Sequence, residues 1–420
     1  MTKLQKIISK IEKRHNKKID LSLDRTFNLL NKLGNPQNKL NNVVTVVGTN
    51  SKASMATALS SILEESGLKY NLYTSPHLQS YTERYVFNNK EMEENDLAIL
   101  LEDVDKILGK DSATVFEILT CAFIKFAENF KDNVNIIEAG LFHKFDSTNV
   151  FKKNLLTLIG VIHLDHLNWL DNKTIDGVIY EKTSSLPASN IFINNQMSSE
   201  IKTKIKKSLI NNKSKKYYYG DDFNITKSEN GFIYYQDKLG EMMLPQPSLI
   251  GDHQLFNIST SIAASRKIFN ISNEDIKNSM KKIKLKGRLE EIRSGKLKKL
   301  IGKNRLIIDG GHNINSAISI SNWVKKQSEK VHLICGMMND KPHKEFINQF
   351  ENSVNTITLI DIPNQEGSIS KEEFKKKLSN QNIYTAKSIK ESLMLNSKDE
   401  NCIFLCAGSL YLAGEILNLN

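Results

Sequence analysis

Continuous apolar runs alternate with helically spaced apolar residues over the first 170 positions of the chain. VVTVV (43–47), VNIIEAG (134–140) and LLTLIGVIHLDH (155–166) are runs typical of strands that are buried on both faces. Between them, the segments 56–68 and 114–130 repeat their apolar residues at helical intervals. This alternation of buried strands and helices predicts a mostly parallel α/β sheet.

The pattern changes twice further along the chain. Between residues 190 and 250, short runs separated by turn residues predict an antiparallel patch attached to the first domain. From about residue 297 a second α/β series begins, with strands predicted in RLIIDGG, VHLICGM, TITLIDI and CIFLCAGS. We interpret KGRLEEI (286–292) as the crossing between two domains, 1–287 and 288–420. The predicted fold class is α/β, with an N-terminal P-loop-type, mostly parallel sheet domain that carries the antiparallel patch, and a smaller Rossmann-like C-terminal domain.

Composition and charge exclude several classes of protein. The 420 residues are 40% hydrophobic and 25% charged, which excludes disorder of the whole chain. The sequence lacks both an apolar run of about 18–20 residues, as a membrane helix needs, and the apolar stretch of a signal peptide. Four cysteines are too few for a disulfide scaffold, so we expect a reduced, cytoplasmic protein. The net charge of +11 comes mainly from scattered lysines, which we interpret as a solvated surface rather than a nucleic-acid interface.

The strongest local signal of chemistry is the segment Gly48-Thr49-Asn50-Ser51-Lys52-Ala53-Ser54, between a predicted strand and a predicted helix. Backbone N–H groups and a helix N-terminus at such a turn attract phosphate. Lys52 would then meet phosphate oxygens, and Ser54 would reach a magnesium ion. The spacing departs from the standard phosphate loop, which has glycine just before the lysine, where this chain has Ser51. The alternative is an ordinary strand-to-helix turn with Ser54 in an N-cap.

An ordered series of further motifs extends over the rest of the chain: TSPHL (74–78), EAGLFHKFDSTNV (138–150), HLDH (163–166), EKTSS (181–185), HQLFN (253–257), GRLE (287–290), DGGHNI (309–314) and GSLY (408–411). In order and spacing this series resembles the folylpolyglutamate synthase/dihydrofolate synthase family, within the Mur ligase group. The motifs of that family are GTNGKGS, TSPHL, EVGLGGRLDATNV, LDH, EKAGI, HQ..N, GRLE, DGAHNP and GSLY. The resemblance extends from about Leu21 to Glu415.

The resemblance implies an ATP-dependent ligase that joins L-glutamate to a pterin-bearing carboxylate through an acyl phosphate. The acceptor would be dihydropteroate, a reduced folate or both, and the cofactors would be ATP and Mg²⁺. It also implies a monomer that needs neither nucleic acid nor a membrane. Two alternatives stay open: another Mur-type ligase acting on a cell-wall or related precursor, and a catalytically decayed homologue that still binds nucleotide.

The resemblance further implies roles for individual residues. Lys52, Glu138, His166 and Lys182 would be catalytic, with Lys182 at the position of a carbamylated lysine, and Ser75, Glu138 and His166 would hold metal. The nucleotide would be bound by Gly48, Thr49, Asn50, Ser51, Lys52, Ala53, Ser54, Asn257, Arg288 and Asp309. The substrate-side residues would be Leu23, Asp24, Arg25, Thr114, Phe116, Glu117, Phe145, Asp146 and Ser147. For two of these, Phe116 and Asp146, a place in the core and a turn cap are the alternatives.

Two departures from the family motifs lie close to the predicted chemistry. Ser51 and Ala53 replace glycines of the phosphate loop, and serine is unfavourable if the turn needs a left-handed residue. Phe142, His143 and Lys144 replace Gly-Gly-Arg, so a bulky ring stands close to the predicted metal residue Glu138. We expect these changes to affect catalytic efficiency and substrate choice.

Overall fold

The computed structural model describes residues 1–17, 19–378 and 382–420. The chain forms two compact units, one of Met1–Ser248 with Leu255–Ile283 and one of Leu249–Gln254 with Lys284–Asn420. The main segment of the second unit begins a few residues before the predicted boundary at 287/288. The functions assigned to the two predicted domains, ATP and folate binding for 1–287 and glutamate ligation for 288–420, stay predictions.

The first unit is built around an eight-stranded sheet and a separate three-stranded sheet. Its strands are β1 (Val43–Val47), β2 (Tyr70–Tyr73), β3 (Tyr85–Phe87), β4 (Lys90–Glu91), β5 (Val134–Glu138), β6 (Leu156–Ile159), β7 (Asn190–Ile193), β8 (Lys215–Tyr218), β9 (Phe223–Lys227), β10 (Ile233–Asp237) and β11 (Gly240–Leu244). The helices in this part of the chain are α1 (Lys3–Ile11), α2 (Asp24–Lys32), α3 (Lys52–Glu65), α4 (Glu94–Leu108), α5 (Val115–Ala127), α6 (Ile175–Thr183), α7 (Ser199–Ser208), α8 (Asp252–Ala264) and α9 (Asn273–Ser279).

The centre of the large sheet is parallel and fully buried. Strand order is β4-β3-β2-β5-β1-β6-β7-β8, and β1 pairs in parallel with β5 on one side and β6 on the other. All five residues of β1 are buried, as its β-branched sequence predicts. Because β1, β5 and β6 run in one direction, the loops after Val47, Glu138 and Ile159 leave the same edge of the sheet. In parallel α/β sheets that edge is where ligands bind.

Two predictions about this unit are wrong in detail. β7 and β8 belong to the large sheet, because β6 pairs with β7 and β7 with β8 in parallel, so only β9–β11 form the antiparallel patch. The run 155–166 is not one long strand, since β6 ends at Ile159 and the remaining residues form a loop. In the first case the local pattern could not identify the sheet partners of β7 and β8, and in the second it could not identify where β6 ends.

The second unit contains a six-stranded sheet in the order β12-β13-β17-β14-β15-β16, in which only β12 pairs antiparallel. Its strands are β12 (Glu290–Ile292), β13 (Arg305–Ile308), β14 (Lys330–Cys335), β15 (Thr356–Leu359), β16 (Ile383–Thr385) and β17 (Cys402–Ala407). Its helices are α10 (Lys296–Leu300), α11 (Ile314–Val324), α12 (His343–Asn348), α13 (Lys371–Lys376), α14 (Ile389–Leu395) and α15 (Leu410–Leu419). The predicted fold class, a mostly parallel α/β unit followed by a smaller α/β unit, is confirmed. Within the described ranges, no helix is both long and apolar enough to cross a membrane.

Candidate active site

The predicted phosphate loop connects β1 to α3 and lies against the loop that follows β6. The N–H groups of Thr49 and Asn50 both donate to the carbonyl of Val161, at 2.8 and 3.1 Å. A Cβ atom at Gly160 would lie 2.4 Å from the carbonyl oxygen of Asn50, so this close approach requires glycine at that position. The two loops therefore support each other at the edge of the sheet.

Ser51 adopts the left-handed conformation that the sequence suggested this turn would need. Its φ and ψ are 76° and −16°, and α3 begins at the next residue, Lys52. A left-handed backbone costs a residue with a Cβ roughly 1–2 kcal/mol, a cost that glycine avoids. The turn thus keeps its shape with serine, at some cost in stability.

Two lysine amines converge on one carbonyl of the phosphate loop. Lys52 Nζ donates to the carbonyl oxygens of Gly48 and Thr49 at 3.2 and 3.3 Å, and Lys182 Nζ donates to that of Gly48 at 3.0 Å. Lys52 Nζ also lies 3.9 Å from the Glu138 carboxylate. Lys52 can thus place positive charge where a phosphate group would bind.

Lys182 is held in an environment that disfavours its charged form. Its side chain is buried, and burial together with the charge of Lys52 lowers the pKa of Lys182 to about 7. An amine with this pKa is partly neutral at physiological pH, unlike an ordinary surface lysine. A buried lysine of this kind is typical of a functional site rather than of a structural one.

The predicted metal-site residues lie around the end of β5. Glu138 is buried as the last residue of β5, and the N–H of Ser75 donates to its carboxylate at 3.3 Å. His166 has a left-handed backbone, and its N–H donates to the Asp165 carboxylate at 2.9 Å. The rings of His166 and Phe142 meet edge to face, with centroids 6.4 Å apart. Ser75 and Lys52 thus contact Glu138, and His166 contacts Phe142.

The donors at this site suit magnesium better than a metal that needs an all-protein cage. In the part of the chain that the structure describes, no group of three or more His, Cys, Asp or Glu residues could hold an ion unaided. Mg²⁺ commonly takes one or two carboxylates and completes its shell with water and substrate phosphates. Glu138 would supply the carboxylate of such a site, beside Ser75. The parts of Ser75, Ser54 and His166 in holding the ion stay predictions.

The substrate-side residues at the start of α2 and α5 form an ion-pair network. Arg25 donates to both carboxylate oxygens of buried Glu117, at 3.1 and 2.8 Å, and its third nitrogen lies 3.1 Å from Asp20. Glu117 and Thr114 form a capping box that fixes the first turn of α5. Leu23 and Asp24 are the N-cap and first residue of α2, and Phe116 packs between Tyr73 and Gly140. The network joins the segment before α2 to the first turn of α5.

The second substrate-side group, residues 145–147, is only partly exposed. Asp146 is buried and accepts hydrogen bonds from the N–H of Leu141 at 2.7 Å and from the N–H and hydroxyl of Thr148 at 3.0 and 2.6 Å. Burial raises the pKa of Asp146. Ser147 donates to Thr120, whereas Phe145 is exposed. Asp146 therefore shapes this loop, and its contact with substrate stays a prediction.

Three predicted nucleotide contacts lie outside the phosphate loop. In the first unit, the side chain of Asn257 accepts a hydrogen bond from Asn194 at 2.7 Å. In the second unit, buried Asp309 accepts from the N–H groups of Leu289 and Gly311 at 2.9 and 2.7 Å. Burial raises the pKa of Asp309, and the charge of Arg288 opposes that change. The contacts of these residues with nucleotide stay predictions.

His143 and Lys144 depart from the family motifs, and the resemblance implies no role for either residue. His143 is buried, and its Nδ1 lies 2.9 Å from the hydroxyl of Ser185, at the end of the EKTSS motif. Lys144 pairs with Glu181 of the same motif. His143 and Ser185, which both depart from the family motifs, thus contact each other, and Lys144 contacts a residue that matches them. The motifs taken one by one carry no information on such contacts.

Comparison with known proteins gives matches over nearly the whole chain. Residues 287–410 match the family model described as Mur ligase, glutamate ligase domain. The chain is 26% identical over 435 residues to the dihydrofolate synthetase of Saccharomyces cerevisiae, covering 96% of this chain and 98% of that protein. It is 27% identical over 415 residues to the dihydrofolate synthase/folylpolyglutamate synthase of Bacillus subtilis, covering 94% of each.

Solved structures show the same fold. Escherichia coli FolC in complex with DHPP and ADP superposes with a TM-score of 0.85 at 23% identity, over 99% of this chain and 97% of that one. The bifunctional folylpolyglutamate synthase/dihydrofolate synthase of Yersinia pestis, complexed with AMPPNP and Mn ion, gives a TM-score of 0.84 at 21% identity, over 100% and 98%. At these identities the structural matches establish the fold.

Proposed function

With the resemblance to the folylpolyglutamate synthase/dihydrofolate synthase family confirmed, we propose that this chain is an ATP-dependent ligase joining L-glutamate to a pterin-bearing carboxylate. Its acceptor is dihydropteroate, a reduced folate or both, and its cofactors are ATP and Mg²⁺. The Saccharomyces cerevisiae relative is named for dihydrofolate synthesis alone, and the Bacillus subtilis relative is named for both dihydrofolate and folylpolyglutamate synthesis. The proposal therefore covers both acceptors.

The observation that carries this proposal is the convergence of Lys52 and Lys182 on the Gly48 carbonyl, with Glu138 beside Lys52. Attack of a carboxylate on a γ-phosphate brings two anions together, so the site must supply positive charge. The Lys52 ammonium provides that charge at the loop. Magnesium, which Glu138, Ser75 and His166 would hold with Ser54 near the nucleotide, would supply further neutralisation of phosphate charge.

The reaction proceeds in two transfers. An oxygen of the acceptor carboxylate attacks the γ-phosphorus, and the bond to the β–γ bridging oxygen breaks, releasing ADP and leaving an acyl phosphate. The glutamate amine then attacks the acyl carbon, inorganic phosphate departs, and the nitrogen loses a proton to give the amide. In this scheme Lys52 stabilises charge on the transferred phosphoryl group during the first step.

The rest of the assignment follows from the same scheme. Arg25, Glu117 and Phe116 line the acceptor side, and Arg288 and Asp309 contact the nucleotide. We also propose a monomeric, cytoplasmic enzyme that works on small molecules without a nucleic-acid partner.

The test is ADP release by the purified protein with dihydropteroate and with tetrahydrofolate, each with and without glutamate and magnesium. We expect turnover with at least one acceptor, and only when ATP, magnesium and glutamate are all present. Turnover with a cell-wall precursor instead would indicate another Mur-type ligase. Magnesium-dependent ADP binding without turnover on any acceptor would indicate a decayed homologue, and either outcome would contradict the proposal.

A further inference from the structure

Phe142 is a bulky residue in a conformation that such residues seldom adopt. Its φ is 57°, in the left-handed region, and its side chain is only 3% exposed. Left-handed backbone is uncommon outside glycine and asparagine, and it persists only where the surroundings impose it. The family motif has glycine at this position, which would take the same conformation without strain.

The two residues that follow Phe142 contact α6 and the residues just after it. His143 Nδ1 lies 2.9 Å from Ser185 Oγ, and the N–H of Lys144 donates to the carbonyl of Glu181 at 3.0 Å. The Lys144 ammonium also lies 3.3 Å from the Glu181 carboxylate. Three contacts thus join residues 143 and 144 to the stretch of chain that carries Lys182.

The ring of Phe142 lies beside two residues of the predicted machinery. Lys182 Nζ lies over its face, 5.2 Å from the centroid, and His166 meets it edge to face. The same amine donates to the Gly48 carbonyl at 3.0 Å. It therefore contacts both an apolar ring and the backbone of the phosphate loop.

We infer that Phe142 is a positioning residue that holds the Lys182 amine against the Gly48 carbonyl and thereby fixes the shape of the phosphate loop. This inference rests on the proposed nucleotide site. It gives a reason for a strained aromatic residue where glycine would be free of strain. On this account, the departure from the family motif is part of the working site.

Calorimetric titration with ADP in the presence of magnesium tests the inference without requiring turnover. Replacing Phe142 with glycine removes the ring and relieves the backbone, so a purely structural view predicts unchanged binding. We expect Phe142→Gly to weaken ADP binding about tenfold, the usual effect of losing a residue that orients a binding group. Phe142→Asn, which also accepts a left-handed backbone, should weaken ADP binding similarly. Phe142→Leu, which keeps an apolar side chain of similar bulk, should retain most of the wild-type affinity.

A double-mutant cycle with Lys182→Met identifies the residue through which Phe142 acts. In the Lys182→Met background, Phe142→Gly should change ADP affinity less than twofold, because no amine remains to be positioned. Phe232→Gly, which removes an exposed ring from the same unit, serves as the matched control and should leave affinity unchanged. Thermal unfolding of every variant verifies that it is folded.

Unchanged ADP affinity in both Phe142→Gly and Phe142→Asn would overturn the inference while leaving the proposed ligase intact. Equal weakening with and without Lys182 would also overturn it, because Phe142 would then act by another route. Failure of the wild-type protein to bind ADP with magnesium would refute the nucleotide site and the inference together.

Discussion

Replacing Lys182 with methionine should stabilise the protein strongly at neutral pH. Burial and the charge of Lys52 lower the pKa of Lys182 from 10.5 to about 7, and a change of about 3.5 in pKa corresponds to about 5 kcal/mol. Methionine keeps the buried apolar stem but loses the hydrogen bond to Gly48, worth about 1 kcal/mol. The expected gain in the free energy of unfolding is therefore about 4 kcal/mol.

This gain should depend on pH in a defined direction. Between pH 7 and 10.5 the unfolded wild-type chain binds more protons at Lys182 than the folded chain does, so this residue makes wild-type stability rise with pH. Methionine has no such dependence. The advantage of Lys182→Met should therefore be largest below pH 7 and should disappear as the pH approaches 10.5.

Urea unfolding from pH 6 to 10, in buffers free of dissolved carbon dioxide, measures this difference. Lys213→Met, which removes an exposed lysine from the same unit, is the control and should change stability by less than about 0.5 kcal/mol. A destabilised Lys182→Met protein, or a difference that does not vary with pH, would refute the assignment of Lys182 as a buried amine retained for function.

Three further predictions concern the loop and the acceptor side. Lys52→Ala should lower turnover at least about a hundredfold while thermal unfolding stays nearly unchanged; a fully active variant would rule out the phosphate site. Ser51→Gly should raise the free energy of unfolding, measured in urea, by up to about 1 kcal/mol, because glycine takes the left-handed backbone without strain; a loss of stability would contradict this. Arg25→Lys removes the two-pronged bond to Glu117, so initial-rate kinetics should show a higher KM for the acceptor and an unchanged KM for ATP; equal effects on both would argue for a structural role.

The central strands were predictable because their sequences favour buried strands over other elements. β1 has an unbroken β-branched run, and such a run fits a strand that is covered on both faces. The sequence pattern places β7 and β8 in the wrong sheet because the helix between them, SEIKTKIKKS, has few apolar residues that would mark it as a crossover. β6 pairs with β7, which lies about thirty residues later in the sequence. The apolar pattern within either strand does not specify that pairing.

One contact of the candidate site was predictable in the same way. Glu138 and the loop at Lys52 could be expected to lie together because each follows a neighbouring parallel strand. The contact between Phe142 and Lys182 could not, since it joins residues 40 apart in sequence through an aromatic residue with a left-handed backbone. Neither the spacing of apolar residues nor the spacing of the motifs indicates that Phe142 and Lys182 are in contact.

Isotope transfer tests the central claim, that the acceptor carboxylate attacks the γ-phosphate, most directly. The acceptor is prepared with ¹⁸O at both oxygens of its carboxylate and incubated with the enzyme, ATP, magnesium and glutamate. The released phosphate is analysed by mass spectrometry. The proposed chemistry predicts one ¹⁸O atom in each phosphate, because the attacking oxygen leaves with the phosphoryl group. Amide product accompanied by unlabelled phosphate would contradict it.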